Sequence, residues 1–515
     1  MVADEAKSDI ETRTLMSATF VPSIAGPALL ESQLHLAGEA GASQLTTIAI
    51  PKNIGDVLRT LLPAAADSGS RFIWISNFEA ERFWAHPGSM RLPSVSQAAD
   101  VAIVNRLEEM TLFLAEAPDL VILRHRSDAA FVDYLASLGL KTPRILTSEA
   151  ADSTIPIAET ILQNADLCIE LQKLAQGNHG IYLLPYATTH LEEEIASVTG
   201  IPCVGAGAAV CQKVNSKIYS RRMSRELGLK TVPGGECESL EAIEAVYQDL
   251  SRNNNSALVI KESMGVSGRG LSLIDAPAKM QRLIALLKRR HKADSRVEFV
   301  CECWIDKAKD INYQIFVSPS GNVHLLNIKE AITNNGVHMG HHWPPVLLPE
   351  QHDCYQEAAT AIGAQLYADG FTGIAGIDSI IDRTGVVYPV LEINARFNMS
   401  TYELRLDEVI APQMEKIVKY YPLILSEPLR FDKLSSALGK DLFRSGSGAG
   451  VGVFCFATAN CNFRSGATLP VKGRIYVFIA GLDAAEIERL DGAMRKALNT
   501  CGAITTHQRQ EMVEA

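Results

Sequence analysis

The chain predicts an α/β domain followed by an α+β region. Three observations carry that reading: apolar runs alternating with amphipathic stretches from about residue 45, a glycine-rich turn between strand-like runs at 264–270, and polar side chains recurring at period two around Glu392. The runs Leu45–Ile50, Phe72–Ser76, Leu120–Leu123, Arg144–Leu146, Gly180–Leu184 and Pro202–Val204 follow the βαβ rhythm of a mostly parallel, doubly wound sheet. Lys217–Leu227 reads as a helix stopped by Gly228, and Pro233 with its neighbouring glycines marks a boundary. Strands Ala257–Lys261 and Leu271–Ile274, helix Ala278–His291, strand Val297–Trp304 and hairpin strands near Tyr313–Val317 and Val323–Ile328 come next. That order predicts an α+β lid over a second α+β core. Strands near Gly450–Ala457 and Arg474–Ala480, then helix Ala484–Leu498, predict a small accessory α/β module.

Bulk properties agree with several globular domains: 515 residues, 47% hydrophobic and 21% charged. With 48 basic against 59 acidic residues and a net charge of -11, no global basic field exists to hold nucleic acid or an anionic membrane. The longest apolar stretches fall short of the ~20 residues of a membrane helix, so a cytoplasmic location is expected. Ten cysteines include no CxxC pair, and Cys301 and Cys303 alternate along a strand, which favours reduced core thiols over a zinc site.

The chemistry concentrates in the middle of the chain. Met264–Gly270 follows a strand ending in Lys261, so glycine backbone N–H groups approach phosphate oxygens while Lys261 supplies a cation. The turn is neither a Walker A loop nor a Rossmann fingerprint, and alone it reads as a hairpin turn. A second cluster, Gly373-Ile-Ala-Gly-Ile-Asp378 and Val390-Leu-Glu-Ile-Asn-Ala-Arg396, changes the balance. Glu392 and Asn394 lie two apart and share a strand face, and Asp378 begins the preceding strand. Those oxygen donors suit Mg2+, which takes the rest of its shell from water and phosphates. Arg396 continues the face and places a guanidinium beside the phosphates.

In this order, Lys217, Lys261, the glycine-rich turn, Val300-Cys-Glu-Cys-Trp-Ile305, Asp310, Asp378 and Glu392-x-Asn394 resemble the ATP-grasp superfamily over about residues 200–405. The resemblance implies an ATP-grasp fold preceded by a doubly wound pre-ATP-grasp domain and followed by the small module. The expected division is a mobile tail at 1–15, the pre-ATP-grasp domain at 16–212, the ATP-grasp domain at 213–430 (lid about 231–306, metal-binding core about 307–430) and the module at 431–515. It also implies residue roles. Lys217 and Lys261 contact nucleotide phosphates, and Ser267, Gly268 and Arg269 cover the β- and γ-phosphates. Glu302, Cys303 and Ile305 lie in the hinge that reads adenine, and Asp310 takes the ribose. Asp378, Glu392 and Asn394 hold one or two Mg2+ ions, with Mn2+ as an alternative. Arg396 stabilises the acyl phosphate and then the tetrahedral oxyanion, and Lys329 is a basic residue on a core strand.

The chain departs from D-alanine:D-alanine ligases at Gly376, where they carry an arginine two residues before the first metal aspartate. Arg269 and Arg396 are the candidates to replace it. The stretch Asn334–Pro345, with His338, His341 and His342, reads as a substrate-binding loop in preference to zinc. Asn398-Met-Ser-Thr-Tyr402 is similar to the substrate-carboxylate loop of amino-acid ligases, which nominates Ser400 and Tyr402. The extended motif Asn394–Tyr402 and the flanking domains resemble peptide ligases of natural-product biosynthesis, of the pheganomycin-ligase type. The function so implied joins a small-molecule carboxylate, an amino acid or derivative, to the amine of an amino acid or peptide at the expense of ATP; a homodimer is left open. A biotin-carboxylase-like enzyme and a noncatalytic ATP-binding regulator are the alternatives.

Overall fold

The computed structural model describes residues 53–505 except 65, 67–68, 94–97, 150–151, 153, 178–179, 254–256, 266–269, 335–336 and 464–467. The expected tail and strand Leu45–Ile50 lie outside these residues, as do Ser267, Gly268 and Arg269.

Four parallel strands open the fold: β1 (Arg71–Ile75), β2 (Leu120–Leu123), β3 (Arg144–Thr147) and β4 (Ile181–Pro185), in the order β3-β2-β1-β4. Burial on both faces explains the continuous apolar runs of β1, β2 and β4, with Ile73, Ile75, Ile122 and Leu183 inaccessible to solvent. The strand order switches at β1, so the carboxyl ends of β1 and β4 flank a crevice, the usual ligand position in such sheets. The expected strand Pro202–Val204 is reduced to an isolated parallel bridge between Leu183 and Cys203. Gly205, at φ 88°, turns the chain away after two hydrogen bonds to Leu183.

A separate antiparallel sheet forms the lid, from β5 (Gly234–Cys237), β6 (Leu258–Glu262), β7 (Leu271–Ile274) and β8 (Phe299–Cys303) in the order β5-β8-β6-β7. It has its own core, in which Ile260, Leu287, Phe299 and the free thiols Cys301 and Cys303 are buried.

The core sheet holds β9 (Lys307–Val317), β10 (Val323–Asn334), β11 (Val337–Trp343), β12 (Gly373–Asp382), β13 (Val387–Asn394), β14 (Glu415–Leu425), β15 (Gly450–Cys455), β16 (Val471–Gly481) and β17 (Ala503–Thr505). Its order is β13-β12-β9-β10-β11-β14-β16-β15, with β17 beside β14. The strands after residue 430 therefore extend the core sheet, because β14 pairs with β16 along its whole length. Helix Pro349–Ala368 covers one face, where the Tyr355 and Ser379 hydroxyls meet at 2.8 Å. The opposite face carries the polar residues of interest. The stretch read as a loop at 334–345 contains β11, hydrogen-bonded to both β10 and β14. Its inward residues include His341, and a polar contact with Glu403 at 2.9 Å, not apolar character, accompanies that burial.

Candidate functional site

Two rows of directly opposed residues cross the polar face. In one, Glu392 (β13) faces Asp378 (β12), which faces Asn312 (β9), which faces Lys329 (β10). In the other, Asn394 faces Gly376, Gly376 faces Gln314 and Gln314 faces Asn327. Residues two apart on a strand share a face, so both rows look the same way. Asn312 Nδ2 donates to Asp378 Oδ1 at 2.7 Å and Asn394 Nδ2 donates to Asp378 Oδ2 at 3.0 Å. Two amides thus fix both oxygens of the aspartate. Lys217, at the start of helix Lys217–Glu226, donates to Glu392 Oε1 at 2.7 Å and to the Gly265 carbonyl at 2.9 Å.

The lid contributes Lys261, which donates to Glu302 Oε2 at 2.7 Å, while Arg221 holds the other oxygen at 2.7 Å. The Glu302 side chain therefore positions cations. The Cys303 N–H donates to the Pro233 carbonyl at 2.9 Å and the Trp304 N–H to that of Ala257 at 2.7 Å, fastening the hinge to the lid. Ile305 is half-buried against the lid core. Asp310 is half-buried, bound by Lys307 at 2.6 Å and Thr333 at 2.9 Å.

Arg396 leaves the core sheet and joins it to the N-terminal domain. Its guanidinium donates to Glu81, to the Tyr186 hydroxyl at 2.8 Å, to the Phe397 carbonyl at 2.9 Å and to Asn394 Oδ1 at 2.8 Å. Burial works against the charge, but Glu81 outweighs it and holds the Arg396 pKa above its ordinary value. Glu81 and Tyr186 follow the carboxyl ends of β1 and β4, so the crevice of the parallel sheet opens on this arginine. Sequence reading missed both residues; their position after strand ends was the available signal. Arg396→Lys keeps the charge and loses the planar fork. It is expected to cost about 2 kcal/mol, read as a lower denaturant midpoint; an unchanged midpoint contradicts the contacts described.

The segment after β13 packs over the rows. Ser400 and Tyr402 are fully buried, and the Tyr402 hydroxyl meets Ser76 Oγ at 3.1 Å. Lys329 is fully buried too: its ammonium donates to Glu403 at 2.8 Å and to the Ser400 carbonyl at 3.0 Å, and sits 4.4 Å from the centre of the Trp343 ring. His341 Nδ1 meets the other Glu403 oxygen at 2.9 Å, and the His338 and His341 Nε2 atoms lie 3.1 Å apart. Burial alone raises the Glu403 pKa, yet His341 and Lys329 overcome it and hold the carboxyl at about 2. His342 points the other way, toward Glu415 at 3.5 Å.

Among the described residues no group of three or more His, Cys, Asp or Glu side chains is arranged to hold a metal ion. The donors that fit Mg2+ are the two opposed carboxylates, Asp378 and Glu392; the Asn394 amide turns its nitrogen to Asp378 and its oxygen to Arg396. Charge supports that fit. Burial raises the Glu392 pKa, Lys217 pulls it down, and Asp378 and Glu81 push it up again. A divalent cation at this point relieves that repulsion.

Comparison with known proteins agrees with this architecture. Residues 107–201 match the family described as the pre ATP-grasp domain, and residues 216–402 match the carbamoyl-phosphate synthase L chain, ATP binding domain. The butirosin acyl-carrier protein–L-glutamate ligase of Niallia circulans is 28% identical over 344 residues, 66% of this chain and 75% of the relative. A biotin carboxylase of Nostoc sp. is 25% identical over 209 residues, 40% of this chain and 45% of the relative. In structure, the biotin carboxylase domain of Hydrogenobacter thermophilus 2-oxoglutarate carboxylase, solved with MgADP, ADP and bicarbonate, aligns with a TM-score of 0.50. That alignment has 15% identity and covers 85% of this chain and 91% of that one. No helix among the described residues is long and apolar enough to cross a membrane. With a pre-ATP-grasp domain leading into the ATP-binding domain and its lid, the chain has the ATP-grasp fold.

Proposed function

We propose that this protein phosphorylates a substrate carboxylate with ATP and couples the resulting acyl phosphate to an amine, releasing ADP and phosphate. The observation that carries the reading is the opposed pair Asp378 and Glu392, with Lys217 bound to Glu392 and the Asn398–Tyr402 segment alongside. Lys217 and Lys261 move from their carboxylate partners to phosphate oxygens when nucleotide enters. Cys303 and Ile305 offer backbone to the adenine and Asp310 takes the ribose; Glu302, released by Lys261, stays held by Arg221. Asp378 and Glu392 would hold Mg2+, joined by Asn394 once its oxygen leaves Arg396, and the ion would neutralise charge on the transferring phosphoryl group. Arg396, its five N–H donors engaged by Glu81, Tyr186, Phe397 and Asn394, acts as a positioning residue that fixes Asn394 against the N-terminal crevice. Lys329 acts through Ser400 and Glu403 as a positioning residue, and Tyr402 closes the wall. The glutamate ligase among the relatives supports an amino-acid carboxylate as the acid.

The test is phosphate and ADP release from purified protein with Mg-ATP against pools of amino acids, short peptides and small carboxylates, with mass spectrometry of the products. A product equal to two substrates minus water is the expected result. Turnover that requires bicarbonate moves the assignment to the carboxylase reading, which the biotin carboxylase relatives favour. ATP binding without substrate-dependent turnover contradicts both.

A further inference from the structure

Gly376 is where the chain departs from the D-alanine ligases, and the structure shows what occupies that space. A Cβ at residue 376 would overlap Asn398 Nδ2 and Gln314 Nε2. An arginine at 376 and the present placement of Asn398 are thus mutually exclusive.

The orientation of the Asn398 amide is fixed. Its Oδ1 accepts from the Thr401 backbone N–H at 3.2 Å and lies 3.4 Å from Thr401 Oγ1. A backbone N–H is met only by the oxygen, so Nδ2 is the atom beside Gly376. Thr401 Oγ1 is anchored on Gln314 Oε1 at 2.8 Å, Gln314 Nε2 donates to Asn312 at 2.9 Å, and Asn312 reaches Asp378 at 2.7 Å. One chain of hydrogen bonds therefore ties Asn398 to the aspartate. Among the described residues none accepts a hydrogen bond from Asn398 Nδ2. Ser400, Thr401 and Tyr402 are inaccessible, whereas Asn398 is half-buried. Of this loop, Asn398 presents a spare donor on the face that carries Asp378, Glu392 and Asn394.

We infer that Asn398 Nδ2 is the hydrogen-bond donor to the oxyanion formed at the acyl carbon, a neutral amide taking the place of the arginine. The inference rests on the ligase reading above. As the amine nitrogen bonds to the acyl carbon, the carbonyl π pair moves onto oxygen, and Asn398 N–H donates to that oxygen. The carbon–oxygen bond to phosphate then breaks, its electron pair leaves with the phosphate, and the proton lost by the amine nitrogen ends on that phosphate. Asn398 therefore serves the C–N bond-forming half-reaction and not phosphoryl transfer.

Asn398→Ser and Asn398→Asp both keep a side-chain oxygen to cap Thr401 and both remove the amide N–H beside Gly376. Acyl phosphate formation is followed by positional isotope exchange in 18O-labelled ATP with a pool of the twenty amino acids. Amide formation is followed as hydroxamate with hydroxylamine as acceptor. Hydroxamate formation is expected to fall about 10²- to 10³-fold in both variants, the usual loss for one oxyanion donor, while isotope exchange keeps the wild-type rate. Exchange and hydroxamate falling together, or both at wild-type rates, overturns the inference. A wild-type protein giving neither signal overturns the ligase reading itself, and this inference with it.

Discussion

Glu392→Gln is expected to lower ATP turnover at least ~10³-fold, because several kcal/mol of charge stabilisation at the transferring phosphoryl group leave with the ligand. The amide oxygen still accepts from Lys217, which sits at 2.7 Å from Glu392 Oε1, so the helix that carries Lys217 keeps its anchor. The side chain is half-buried and the β13–β12 pairing is a matter of backbone, so the melting temperature should hardly move. ADP release at saturating Mg2+ distinguishes the outcomes. Turnover equal to wild type removes Glu392 from the metal site. Loss of turnover with loss of fold leaves a structural explanation in its place.

Glu403→Gln is expected to destabilise the protein by about 3–5 kcal/mol, since it strands a fully buried ammonium. Lys329 would keep the Ser400 carbonyl, the Trp343 ring and a neutral amide oxygen but lose its counter-charge, and His341 would lose its carboxylate. The pH dependence has a definite sign. Folding lowers the Glu403 pKa from an ordinary 4.5 to about 2. A depressed carboxylate stabilises the fold above its unfolded pKa, and that contribution drains away as pH falls from about 4.5 toward 2. The glutamine variant lacks this term. Its midpoint in urea should therefore lie below wild type near neutrality, and the difference should narrow below pH 4.5. Parallel midpoints across that window contradict the pairing. Because Glu403 also holds the segment that begins at Asn398, activity should fall along with stability.

What was legible in the chain follows from where the signal resides. Strands β1, β2 and β4 stood out because parallel strands buried on both faces must be apolar throughout. Glu392 and Asn394 stood out because period two survives on a strand with one polar face. β11 did not, because His341 is buried against Glu403, 62 residues away, and no hydrophobic alternation marks such a strand. Glu81 and Tyr186 were missed because their partner Arg396 lies 315 and 210 residues away, and only their position after strand ends marked them. The expected module after residue 430 looked separate because strand order in a sheet is not written locally; β16 sits beside β14 without any nearby cue. Ser400 and Tyr402 came from likeness of motif, and the fold turns both inward while Asn398 faces the polar rows.

The central claim is that a carboxylate oxygen becomes a phosphate oxygen, and isotope transfer tests it most directly. The acid identified by substrate screening is labelled with 18O in its carboxyl group and turned over with Mg-ATP and its amine. One 18O per turnover in the released phosphate, with ADP as the nucleotide product, is the result the account predicts. Unlabelled phosphate, or AMP with labelled acid retained, contradicts it.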